Sequence, residues 1–497
     1  MPAFRRPRPW LMLAVAVTTS LALSVPAAGA GILIASHTGP HASLSLSRSS
    51  GTATVPVKVS GGGFGGSEKV SVFFGSTRMA VTHATRAGRF GPVTIGVPAW
   101  VSPGTRYRLW ARGWTTNRTA SDTFTVPADG ASWPQYHDHA SQDGYDNAEN
   151  ELSAGDVRLL KLKWRDGVGG ILSTTSPVVA KGVVYTTPQA NGPLDPPVVA
   201  ISAAKGGVSL WTARIPAAAT AQQPLMDPTP AVSGGTVYVG SDSNVFYAFS
   251  AATGKQKWSF QIPFTSGAQP AFTSATVADG EVFFGAGGLA YYALNAATGA
   301  EIWKYQAGVV ESASPAVANG VVYLPTAGLV ALDAVTGHVV WKNPYGHMFT
   351  SAPAMAKGMV YATDNAGSLL AFDASTGTKV WTASIGGTGS SPAVANGIVY
   401  TGSTDGDLYA FNTATGQQRW SFPVGSGLVS APSVANGVVY IGANSQERVY
   451  ALDAATGRKL WSYNLSSAGP NERVQSSPAV ADGVLYVNAG NLYAFGL

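Results

Sequence analysis

Cysteine is absent from the chain, and charge is scarce: Lys, Arg, Asp and Glu together make up 11% of it, against about a quarter in ordinary soluble domains. Without cysteine there are no disulfides, no thiol nucleophile, no Cys-ligated metal and no lipidated Cys. The net charge is only +5, and Arg5, Arg6 and Arg8 sit in a leader that holds no acid, so the remainder carries +2. That balance gives no reason to expect a nucleic-acid partner. What is plentiful is 59 Gly, 31 Pro and 45% hydrophobic residues in a chain of 497. Such a composition fits many short strands joined by tight turns, supplies a sizeable core and is too long for one ordinary domain.

The leader reads as an export signal. Arg5-Arg6-Pro7-Arg8 precedes an apolar run from Trp10 to Val25, and Ala28-Gly29-Ala30 offers a small-x-small cleavage site. Residues 1–30 are therefore a signal peptide or, because apolar character resumes at Ile32-Leu33-Ile34, a signal anchor using residues 10–35. Either reading places the chain outside the cytoplasm, secreted or at the cell surface.

Residues 42–126 carry short alternating runs such as Val55–Val59, Val70–Phe74, Tyr107–Ala111 and Thr123–Val126, separated by turn clusters including Gly61–Gly66. This pattern predicts a small β-sandwich. The run GGGFGGSEKVSVFF, with Gly88-Arg89-Phe90 and Ser102–Tyr107, resembles the Ig-like or IPT-like domains of bacterial surface proteins. That resemblance implies a spacer or adhesion module. Residues 127–159 read as a linker and lead-in. His137, Asp138, His139 and Asp143 lie close together there, but their spacing specifies no complete metal site, so no metal is expected.

From residue 160 to 497 the chain repeats. Ala451–Trp461 reads ALDAATGRKLW, with near-copies at Ala248–Trp258, Ala293–Trp303, Ala331–Trp341, Ala371–Trp381 and Ala410–Trp420, and a degenerate one at Ala200–Trp211. Asp-x-x-Thr-Gly predicts a tight turn, with Gly at positive φ and the Asp or Thr side chain bonding local backbone. Each Trp, if buried, would stabilise the docking of one unit on the next by about 4–6 kcal/mol at most. The tryptophans Trp164, Trp211, Trp258, Trp303, Trp341, Trp381, Trp420 and Trp461 are 47, 47, 45, 38, 40, 39 and 41 residues apart. A second signature, Ser-x-Pro-Ala-Val-Ala-Asn-Gly-Val-Val-Tyr, precedes each copy and predicts two strands joined by a two-residue turn. Four strands per unit of about 42 residues is a propeller blade. The last unit stops one strand short, and Leu160–Trp164 is a strand without a unit of its own. The two together complete an eight-bladed propeller, closed by its N-terminal strand.

These repeats, with the lead-in WPQY…LKLKW, resemble pyrroloquinoline-quinone-type propeller repeats over about 133–497. The family so resembled includes quinoprotein dehydrogenases, which hold the quinone and Ca²⁺ in a central funnel, and non-enzymatic propellers such as that of the outer-membrane-protein assembly machinery. The resemblance implies, for the first group, a quinone stacked between a Trp and a disulfide of adjacent cysteines. This chain has no Cys, and all eight Trp of 164–497 are taken by the repeat. No catalytic residue and no cofactor are therefore expected, and pyrroloquinoline quinone with Ca²⁺ is the alternative. The loops on one rim offer a candidate binding surface for an extracytoplasmic protein or peptide: Met226, Phe272, Glu311, His347, Met348, Phe349, Asp364, Asp405, Leu428 and Arg473. The expected function is an exported, monomeric, non-catalytic binding scaffold. The alternatives are a quinone-dependent alcohol or sugar dehydrogenase, and an adhesin or sensor that binds through the Ig-like domain.

Overall fold

The structure, a computed structural model, describes residues 42–47, 56–98, 106–125, 135–146, 149, 152–166, 175–187, 197–214, 228–241, 244–263, 272–286, 289–308, 310, 313–425, 427, 430–467 and 474–497. The leader, with its possible cleavage site or anchor, lies outside these residues. Regular structure among the described residues is strand, apart from two short 3₁₀ turns, Val157–Leu159 and Leu465–Ser467. No helix among them is long and apolar enough to cross a membrane.

Two sheets form first. β1 (Ser43–Leu46), β2 (Pro56–Gly62) and β5 (Phe90–Gly96) make one. β3 (Lys69–Phe74), β4 (Thr77–His83), β6 (Arg106–Gly113) and β7 (Thr119–Thr125) make the other, in the order β4-β3-β6-β7. The period-2 alternation puts Val57 and Val59 from one sheet against Val70, Val72, Leu109 and Phe124 from the other in a single core. β4 was not among the strands picked out from the sequence; its burial is only partial, so its apolar alternation is weak.

The repeats build eight units of four antiparallel strands, seven of them from consecutive strands. They span 178–214, 231–261, 276–306, 316–343, 354–384, 393–423, 433–464 and 479–496; the last is completed by β9 (Lys161–Asp166), which pairs with Leu492–Gly496. We number these blades 1 to 8. The two middle strands of a blade are buried on both faces, which is why they read as continuous apolar runs. One face packs on the preceding blade and the other on the next. Each of the eight interfaces has its own core, and the interface of blade 8 with blade 1 joins Ala479, Tyr486 and Leu492 to Val179, Val184 and Ile201. The ring is closed.

The repeat motif joins neighbours. Ala331 pairs with Trp341, and a bulge follows at Leu332; the same pattern recurs at Ala371 and Trp381. Trp341 Nε1 donates to Ala374 O at 2.9 Å, in the Thr-Gly turn of the next blade. Trp381 reaches Thr413 O and Trp420 reaches Ala454 O in the same way. Trp461 of blade 7 donates to Leu160 O at 3.1 Å, and Trp164 to Ala203 O at 3.2 Å, so the N-terminal strand carries the pattern across the closure. The tryptophans are in the outer strand and, except for Trp303, are only half-buried. Each therefore removes less surface from water than full burial implies, and its docking contribution falls below the ceiling set by complete burial.

Candidate functional site

A propeller has one unavoidable weak point: the innermost strand of each blade has no neighbour on its channel side, so its backbone groups need other partners. Residues 135–146 and 149 supply them for blades 3 to 8. Gln135 Oε1 accepts Val277 N–H at 2.9 Å in blade 3. Ala140 O, Ser141 O, Asp143 O and Gly144 O then accept the N–H groups of Val317, Met355, Val394 and Val434, one from each of blades 4 to 7, at 2.6 to 2.8 Å. β8 (Tyr145–Asp146) runs parallel to the inner strand of blade 7. Glu149 Oε2 accepts Gly483 N–H at 2.9 Å in blade 8. The described residues of this stretch thus line the inside of the ring and bond the inner edge of six of its eight blades. His137, Asp138 and Gln142 take φ of 53°, 70° and 51°. This left-handed backbone is costly away from Gly, and it turns successive carbonyls outward to successive blades. Gln142 anchors the coil, its Nε2 donating to Thr276 Oγ1 and Pro315 O at 2.7 Å each.

Above this plug lies a cavity of about 320 Å³, within the usual range for a small-ligand site. Tyr136 lines it, its hydroxyl donating to Ser391 Oγ at 3.1 Å. The walls come from the residues just before each inner strand, and they are mostly hydroxyls, among them Ser176, Thr229, Ser274, Ser314, Ser391 and Ser477. These residues hold the ring together. Ser477 N–H donates to Ser176 Oγ, Ser176 N–H to Thr229 Oγ1, Thr229 N–H to Ser274 Oγ, and Ala352 N–H to Ser391 Oγ, at 2.9 to 3.0 Å. The hydroxyl one position earlier ties the same segment to its own blade: Ser390 Oγ accepts Gly402 N–H at 3.0 Å and Ser430 Oγ accepts Gly442 N–H at 2.8 Å. The Ser of Ser-x-Pro is therefore a wall of the cavity as well as the start of a strand.

His137, Asp138 and His139 do not line the cavity. His137 is fully buried, and burial lowers its pKa to about 4 despite the nearby carbonyls of Gln142 and Pro392. Burial pushes Asp138 up to about 6, against the pull of His139, whose Nδ1 lies 2.8 Å from its Oδ2. For His139 burial opposes the charge, but Asp138 and Asp143 outweigh it and carry the imidazole well above its ordinary value. The pair joins a buried carboxylate to a partly exposed imidazole. Among the described residues no three His, Asp or Glu side chains converge as a metal site.

The ten rim residues proposed from the sequence separate. Met226, Glu311, Leu428 and Arg473 lie outside the described residues. Phe272 lines the cavity, yet it is 5% exposed and packs on Phe246 and Phe284. Phe349 is fully buried between blades 4 and 5, against Phe372. Asp364 is also buried, and its Oδ1 accepts the N–H groups of Ala366 and Ser368 at 3.0 and 2.8 Å. Phe272 and Phe349 lie in segments that join one blade to the next and pack into the cores between blades, whereas Asp364 sits in the short turn between strands two and three and accepts from its backbone. His347 and Asp405 are exposed and Met348 half-buried, with Asp405 Oδ2 accepting Tyr409 O–H at 2.7 Å; none of the three lines the cavity.

A family model described as outer membrane protein assembly factor BamB matches residues 151–307, 292–388 and 365–497. No curated protein matches the chain in sequence. Among solved structures, the chain is similar to the quinohemoprotein alcohol dehydrogenase of Comamonas testosteroni at 17% identity and a TM-score of 0.59, over 74% of this chain and 80% of that one. It is similar to BamB of Moraxella catarrhalis at 19% identity and a TM-score of 0.51, over 68% of this chain and 98% of that one. A europium-containing methanol dehydrogenase aligns at 13% identity and a TM-score of 0.61, over 74% of this chain and 98% of that one. At these identities the likeness is one of fold: a quinoprotein-like β-propeller. The described cavity wall does not fit a quinone with Ca²⁺. Its side chains include no carboxylate to ligate the ion and no Trp to stack on a ring system.

Proposed function

Because the chain belongs to the outer membrane protein assembly factor BamB family, we propose that it is an extracytoplasmic, non-catalytic scaffold that holds a partner segment or small ligand over its plugged funnel. The carrying observation is the hydroxyl-walled cavity lined by Tyr136, which belongs to the segment that bonds six of the eight blades from inside. Its neutral donors and acceptors grip a backbone or a polar ligand by hydrogen bonds, and no described wall residue is an acid, a base or a metal ligand. The name of the family points to partners among assembling proteins, and the export signal in the leader supports placement outside the cytoplasm. Residues 42–126 then act as a separate Ig-like module, and residues 160–497 as the propeller.

The test uses the full chain with a photo-crosslinking side chain in place of Thr404, an exposed residue of the cavity mouth. The same group in place of Val340, on the outer strand of blade 4 and 51% exposed, is the comparison. One dominant adduct in envelope extracts from position 404 and none from 340 is expected. In parallel, purified protein given pyrroloquinoline quinone and Ca²⁺ should reduce no dye with alcohols or aldoses. Steady turnover in that assay would overturn the scaffold reading.

A further inference from the structure

The sheet β4-β3-β6-β7 turns one face into the sandwich core and the other outward. On the outward face of β6, period-2 alternation places Arg106, Arg108, Trp110 and Arg112 in a single file. Arg106, Arg108 and Arg112 are exposed. Neighbours two residues apart on a strand are about 7 Å apart. On one side β3 contributes Phe73 opposite Trp110 and Ser71 opposite Arg112. On the other, β7 contributes only hydroxyls: Thr119, Ser121 and Thr123 stand opposite Arg112, Trp110 and Arg108.

The file is held in place. Phe73 and Trp110 stack at 4.2 Å with 9° between their planes, and the Arg108 guanidinium covers the indole at 5.6 Å. Trp110 Nε1 donates to Gly75 O at 2.8 Å. At the end of the strand Trp114, 52% exposed, carries the Lys69 ammonium over its ring at 5.0 Å, and its Nε1 donates to Ser71 Oγ at 2.8 Å. Among the described residues no carboxylate pairs with these cations. Of the two acids between residues 42 and 126, Glu68 is buried; against the cost of burial, the N–H groups of Thr115, Thr116 and Gly65 and the Thr116 hydroxyl hold its pKa down to about 2. The other, Asp122, pairs with Leu109, whose side chain points into the core, and so lies on the opposite face of the sheet. Over residues 42–126 the chain has ten Lys and Arg against these two acids, whereas residues 127–497 hold 18 against 24. The mild total conceals a strongly basic sandwich.

We propose that this face binds a linear acidic polysaccharide, whose phosphates or carboxylates recur along an extended, hydroxyl-rich chain. A file of guanidiniums at strand spacing matches repeating anionic oxygens, which arginine bonds in a bidentate manner. The row of Thr and Ser beside it offers neutral hydrogen bonds to sugar hydroxyls. Single-stranded nucleic acid fits less well, because base stacking needs free aromatic faces, and those of Trp110 are taken by Phe73 and Arg108. This surface is independent of the propeller funnel and of the function proposed for it.

The test is equilibrium binding of the full chain to alginate and to a phosphomannan at low salt, with oligo-dT and phosphatidylglycerol vesicles as competitors. Binding to at least one polysaccharide is expected, and the one retained distinguishes carboxylate from phosphate. R106S/R108S/R112S should weaken it about tenfold or more and flatten its salt dependence. K58S/R86S/R89S removes the same charge from exposed positions off this file and should bind as the parent does. Equal losses in both variants, no binding to either polysaccharide, or preferred binding to oligo-dT or vesicles would overturn the proposal.

Discussion

A methyl group added at Gly377 would stand 2.5 Å from Cε3 of Trp341, at a φ of +70°. One added at Gly320, at a φ of +74°, would meet nothing within 4 Å. The two glycines share a left-handed backbone but differ in surroundings: the first is the Thr-Gly turn seated on the preceding blade's indole, the second a free hairpin turn. G320A should cost about 1 kcal/mol for the backbone alone. G377A should cost about 1–3 kcal/mol more, because the ring or the turn has to move. Urea midpoints of the two variants check this, and equal losses would mean the indole contact contributes nothing. The same close approach recurs at Gly254, Gly299, Gly416 and Gly457. It explains why Thr-Gly and Trp travel together in the regular copies although they belong to different contacts.

At the scale of the strand, the sequence was most readable where one physical cause acted in every repeat. Asn-Gly turns, doubly buried middle strands and the Trp spacing follow from local rules, so the blades were legible. The N-terminal strand was too, because Trp164 keeps the period. Lys161–Asp166 pairs with Leu492–Gly496, and removing residues 492–497 would leave that strand and Val484–Asn488 each with an open edge. Such a truncation should associate into larger species, detectable by light scattering after size exclusion; a monodisperse monomer would contradict the closure. The cavity was much less legible. Its wall is made by the Ser before each inner strand, a residue that reads as simple punctuation. Its floor lies among the described residues between 135 and 149, which have no repeat and no periodicity; the side chains of Gln135 and Glu149 and the carbonyls of Ala140, Ser141, Asp143 and Gly144 accept from six blades. Exposure is not legible at a single loop residue: Phe349, between two blades, packs on Phe372, and Asp364 is buried while accepting from the backbone of its own turn.

For the whole molecule, closure changes how a local defect spreads. In an open array of repeats a weakened unit disturbs mainly its neighbours. Here blade 1 packs on blade 8 as well as on blade 2, so no blade is terminal. In G377A, which lies in blade 5, backbone amides of Val183–Thr186 in blade 1 should lose hydrogen-exchange protection as much as those of Met359–Thr363 in blade 5 itself. Loss confined to blade 5 and its neighbours would show that the ring does not open as a unit. Charge is also organised at this scale. The basic sandwich and the acidic remainder cancel in the sum, so the net charge of the chain hides both.

The coil formed by the described residues between 135 and 149 has a mechanical consequence. It is the part of the propeller that the chain reaches first on leaving the sandwich. A pull on the N-terminal side therefore enters along the channel, not at an outer strand that could be peeled away. The tension meets bonds to blades 3, 4, 5, 6, 7 and 8 in succession, and only beyond them the strand that closes the ring. A molecule held by its sandwich on one side and by a partner at the funnel on the other would carry that tension through its centre, shared among most of its blades.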